Sequence, residues 1–108
     1  MPRYLSLFKY STEGAKGFLK EKAAAREAAA KKAIESSGGK LELFNWVASG
    51  EYTGIAIAEF PDAASGAAFV AMIDASGAFS EFRSIELLTA SEIDRALGKS
   101  MAYRPPGA

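Results

Sequence analysis

The chain has 108 residues, 13 Lys/Arg against 13 Asp/Glu, no cysteine and no histidine. That length fits one domain, and zero net charge removes the long-range field that draws nucleic acid or anionic membrane, so neither is expected as a partner. Without Cys and His, the usual zinc sites, His- or Cys-held haem, thiol nucleophiles and His-based triads are excluded; no metal or cofactor is expected, and chemistry falls to carboxylates, Lys, Arg and Tyr.

Residues 4–10 alternate as a strand that is apolar on both faces. Ser11-Thr12-Glu13-Gly14 breaks it, and the Ala-rich run that follows predicts a helix near residues 20–37, stopped by Gly38-Gly39. Gly14 and Gly17 weaken any earlier start. Residues 40–47 and 52–60 read as two strands joined at Ser49-Gly50-Glu51. Asp62 is a candidate N-cap for a helix over residues 63–75, with Gly77 near its stop. Residues 79–90 read as a fourth strand. Thr89 and Glu92 have capping-box spacing for a last short helix ending near Gly98. The domain is expected to span residues 1–98, with 99–108 as a loose tail. No stretch has the length of a membrane span or the form of a signal segment, which points to a cytoplasmic protein.

The order βαββαβ is the ferredoxin-like split βαβ pattern of the α+β class, a four-stranded antiparallel sheet in order 4-1-3-2 with the helices on one face. The aliphatic set Leu5, Leu7, Leu41, Leu43, Ile55, Ile57, Ile85 and Leu87 is expected beneath the helices. Tyr4, Phe8, Tyr10, Phe44, Trp46, Phe60 and Phe82 are then left on the open face as the dimer-interface candidates. Four strands about 4.8 Å apart present roughly 400 Å² in projection, near the limit of what a soluble monomer exposes, so a homodimer or larger homo-oligomer is the expected cover. Charge is also lopsided, since residues 1–40 hold nine Lys/Arg and four Asp/Glu while the remainder hold four and nine.

Pro2-Arg3-Tyr4, Ser11-Thr12-Glu13-Gly14, Gly38-Gly39-Lys40, Phe44-Asn45-Trp46, Gly50-Glu51-Tyr52 and Glu59-Phe60-Pro61-Asp62, in this order and spacing, resemble the GYD domain family, whose functions are largely unassigned. The likeness covers roughly residues 2–93. It implies a ferredoxin-like fold of the dimeric α/β-barrel type and no particular activity. The family's name points to a Gly-x-Tyr-Asp signature, and Thr53 stands at the Asp position here, so a role resting on that Asp is not carried over.

Arg26 is the oddest charge, because a helical wheel puts it among Ala23, Ala30 and Ala33, inside the stripe that should face the sheet. Taking the first and third strands as parallel neighbours, Lys9 and Glu59 fall at one edge, where they converge with Arg26 near helix N-termini that favour an anion. The plainer reading of this trio is a structural ion pair. Asn45 and Tyr52 are further candidates for binding a flat ligand, although Asn45 and Trp46 point to opposite faces. The second helix is apolar nearly all round, so its small residues are expected on the sheet and Phe69, Val70 or Ile73 against another subunit. Three functional readings follow: a homodimer binding a small anionic or aromatic ligand between helices and sheet; a cofactor-free monooxygenase- or isomerase-like enzyme; and a structural or regulatory oligomer.

Overall fold

The computed structural model describes residues 1–108. Its elements are β1 (Arg3–Tyr10), α1 (Thr12–Glu21), α2 (Ala23–Ser36), β2 (Lys40–Trp46), β3 (Gly54–Glu59), α3 (Ala63–Ala75), β4 (Phe79–Leu87) and α4 (Ala90–Leu97). The starts of α1, α3 and α4 are written in side chains that satisfy the unpaired N–H groups of a first turn. The Ser11 hydroxyl accepts from the Gly14 amide at 3.2 Å and donates to the Gly77 carbonyl at 2.7 Å, tying the start of α1 to the loop before β4. Asp62 accepts from the Ser65 amide at 2.7 Å. Thr89 and Glu92 form the capping box that their spacing predicts.

Helical structure begins earlier than residue 20. Gly14 does not weaken α1 but permits it, because a Cβ there would strike the Ala78 carbonyl against which the helix turn rests. The long helix expected through residues 20–37 is broken at Lys22, whose φ of 72° and ψ of 176° no helix accommodates. α1 and α2 are therefore two helices with a sharp corner between them.

The sheet order is β2-β3-β1-β4 and every neighbouring pair is antiparallel, which is the expected 4-1-3-2 order read from the other edge. The fold is α+β and ferredoxin-like, with α2 packed on β2 and α3 on β4. One premise is corrected. β1 and β3 are antiparallel, so Arg3 lies opposite Glu59 and Phe8 opposite Gly54, and Lys9 and Glu59 sit at opposite ends of the pair. The reason is topological: the helical crossover makes β2 parallel to β1, and the β2–β3 connection then reverses the chain.

The two sheet faces are also the other way round from the expectation. Phe8, Ala58 and Phe60 are buried with Ile34 of α2, while Tyr4, Leu41 and Phe69 pack around Ile34, Ala58 and Phe60. Phe44, Tyr10 and Phe82 line the same helix-covered side, and Trp46 stacks on Phe18 of α1 with centroids 4.7 Å apart. Tyr4, Phe8, Tyr10, Phe44, Trp46, Phe60 and Phe82 thus build the layer beneath the helices and are not an open interface. Volume explains the inversion. α2 offers Ala29, Ala30 and Ala33 toward the sheet, and α3 brings Gly66 to 3.2 Å, by its missing Cβ, from the Tyr4 ring. With layers about 10 Å apart, small helix residues need long sheet residues to fill the gap.

Cross-strand pairing puts Leu5 between Ile57 and Ile85, and Leu7 between Ile55 and Arg83, on the uncovered face. Leu43 joins them opposite Ile57. Leu41 does not, because an irregularity between Leu41 and Leu43 sets Leu41 opposite Ala58 and so moves it to the helix side. α3 is likewise corrected: Phe69 and Ile73 face the cavity under the helices, and Met72 is the residue turned outward.

Candidate functional site

Between α2, α3 and the sheet lies a cavity of about 130 Å³. Its floor is Phe8, Phe44, Ala56 and Ala58, its α2 wall is the alanine stripe, and its α3 wall is Phe69 and Ile73. The alanines keep the space open. Nearly all of the lining is apolar, and the polar exceptions are Ser6, Arg26 and the phenol of Tyr10.

Arg26 and Tyr10 form the polar end of the cavity. Arg26 is where the helical wheel puts it, on the sheet-facing stripe of α2 and about one-third exposed. Its partner, however, is Glu21 at 3.2 Å, supplied by the last turn of α1 across the Lys22 corner. Burial pushes the Tyr10 phenol above its ordinary pKa, and the nearby Arg26 guanidinium pulls it partly back. Tyr10 therefore stays protonated at neutral pH and can donate a hydrogen bond into the cavity end. Phe18 and Trp46 flank this end, with Tyr10 5.5 Å from Phe18 and 6.4 Å from Trp46 between ring centroids.

Of the candidate ligand-binding residues, only Arg26 lies at this cavity. Lys9 is exposed on the other sheet face, opposite Glu81, and Glu59 is on that face too, at the far end opposite Arg3 and Lys40. Asn45 is exposed and pairs with Ile55 on the uncovered face. Tyr52 lies in the connection before β3 and is not among the residues that line the cavity. The convergence of Lys9, Arg26 and Glu59 is thus not formed. What sequence reasoning missed was Tyr10 and Ser6, whose parity with Phe8 marked them for whichever face the helices cover.

No group of three or more carboxylates is placed to hold a metal ion. No helix is long and apolar enough to cross a membrane. The family model of the GYD domain matches residues 4–97, which is most of the 108-residue chain, and the chain belongs to that family. Searches of curated proteins and of solved structures gave no match.

Proposed function

We propose that this GYD-domain protein is a small-ligand-binding homodimer whose pocket is the cavity between α2, α3 and the sheet, and whose ligand is a single aromatic ring carrying an anionic head group. The observation that carries the reading is an apolar cavity of about 130 Å³ with one cation and one neutral phenol at its end. A dry apolar cavity of roughly 150 Å³ accepts benzene, so the volume suits one ring and little more. The ring would lie against Phe8, Phe44 and the alanines. A carboxylate on it would meet the Arg26 guanidinium, which binds such groups through two parallel N–H donors.

Glu21 holds Arg26 now, but that carboxylate is half-exposed. Exposed ion pairs contribute about 0–1 kcal/mol, so exchanging Glu21 for a ligand carboxylate nearer the cavity costs little. Homodimerisation is supported by the molecule's thin interior: only six of 108 residues are buried, and an aliphatic sheet face is uncovered. A second copy laid on that face is its simplest cover.

Benzoate is the probe for the test, and the only tryptophan is the reporter, since the Trp46 ring lies 5.0 Å from Phe44 and 5.9 Å from Phe8. Benzoate is expected to change Trp46 fluorescence saturably and to shift the NMR signals of Phe8 and Phe44. Arg26→Met should weaken benzoate at least tenfold while leaving benzene binding nearly intact, and Ala30→Leu should block both by filling the space. If millimolar benzoate and benzene leave these signals unmoved in the folded protein, the pocket reading is wrong.

A further inference from the structure

The last helix of the chain has nothing of its own to rest on. α4 buries none of its residues and makes no substantial packing contact with any other element. Yet it is not a uniformly polar helix. Ile93 and Leu97 lie one turn apart on one side, with Ser91, Glu92 and Arg95 on the other and Asp94 at the margin, and Met101 and Tyr103 follow beyond the helix end. Leu97 is 79 % exposed and Met101 84 %. An isolated helix shorter than about 12 residues is marginal in water, so an eight-residue helix with an apolar stripe requires a surface to pack on. The shape of the chain agrees. Its radius of gyration is 16.8 Å and its longest extent 54 Å against 25 Å for the shortest, whereas a compact chain of this length has a radius near 13 Å.

We infer that α4 and the residues through Tyr103 are an exchanged arm, by which each copy of this chain grips the other in the dimer. The inference rests on the homodimer proposed above. Continuity names the occupant. β4 is an edge strand, it carries Ile85 and Leu87 on the uncovered face, and only Leu88 and Thr89 separate it from α4. Whatever covers that face meets α4 at its margin. Area points the same way. The sheet face presents roughly 400 Å² in projection, while a stable dimer commonly buries about 800 Å² per partner. Arms exchanged about a two-fold axis supply additional area twice, once in each direction, which is how a self-complementary interface works.

Sedimentation velocity and amide hydrogen exchange on three full-length proteins test this. Wild type should be a dimer at micromolar concentration with α4 amides protected. Ile57→Glu, which puts a charge at the centre of the sheet face, should be a folded monomer whose α4 amides exchange freely. Ile93→Asp/Leu97→Asp should keep its circular dichroism and dissociate at concentrations at least tenfold higher than wild type. If the double variant dimerises as tightly as wild type, the arm is idle and the inference fails while the homodimer stands. Protected α4 amides in monomeric Ile57→Glu also overturn it, because the arm then docks on its own subunit. A monomeric wild type overturns the homodimer itself, and the exchanged arm with it.

Discussion

Arg26 shows how one charge is tolerated in a stripe that ought to be apolar. It shares the cavity-facing stripe of α2 with Ala29, Ala30 and Ala33, and its head reaches the cavity end, where Glu21 and Tyr10 receive it. Because the guanidinium stabilises the phenolate, it opposes the effect of burial on Tyr10. The sign of a substitution follows. In a spectrophotometric titration, one of the four tyrosines should ionise above the ordinary phenol value of about 10, and Arg26→Met should move it higher still. A raised pKa means that the unfolded chain loses this proton first, so Tyr10 contributes stability that is full below about pH 10 and declines above it. A Tyr10 that ionises at the ordinary phenol value and is unmoved by Arg26→Met would show that it does not face Arg26. The place of Arg26 was legible from the helical wheel. Its partner was not, since Glu21 is five residues away in sequence and only the corner at Lys22 brings it across.

At the scale of elements, caps were the most legible features because each is a contact between residues three apart. Asp62 and Glu92 are both held below the ordinary carboxylate range, each chiefly by the backbone N–H that it engages, of Ser65 and Thr89 respectively. A depressed carboxylate contributes stability that is present above its unfolded pKa, near 4, and lost as pH falls through its folded value. Asp62→Asn, which can still cap, should therefore show a shallower fall of melting temperature below about pH 4 than wild type. The corner at Lys22 was not legible. Its backbone lies where essentially only glycine is at ease, and nothing in the Lys-rich local sequence signals a break. Such a residue stores about 1–3 kcal/mol of strain, offset in part by the backbone entropy that glycine loses on folding. Lys22→Gly should accordingly raise stability by about 1 kcal/mol, read as a rise of roughly 5 °C in melting temperature. No rise, or a fall, would mean that the corner is relaxed in solution. The irregularity in β2 was equally hidden, so parity carried Leu41 to the wrong face while serving Leu43.

For the whole molecule, period-two alternation gave the strands and, Leu41 apart, the aliphatic and aromatic faces, and the βαββαβ order gave the strand order, but alternation does not say which of two apolar faces receives the helices. The deciding information lay in side-chain volume on the other layer: alanines on α2 and Gly66 on α3 demand aromatic rings beneath them. Two substitutions within β1 separate the faces. Phe8 is 3 % exposed, and its ring lies within 2.6 Å of where a Cβ on Gly54 would stand, packed among Phe44, Trp46 and Phe79. Phe8→Glu removes that ring and buries a carboxylate without a partner, each a change that costs several kcal/mol, which exceeds what a domain with so thin an interior can lose. Leu5, three residues earlier in the same strand, points to the uncovered face between Ile57 and Ile85. Leu5→Glu leaves its carboxylate in water in an isolated subunit and in apolar surroundings only if a second copy covers the face. The expected outcomes differ in kind: Phe8→Glu should lose native circular dichroism at every protein concentration, whereas Leu5→Glu should keep it and sediment as a monomer. The opposite pattern, with Leu5→Glu unfolded and Phe8→Glu folded but monomeric, would mean that the helices cover the aliphatic face.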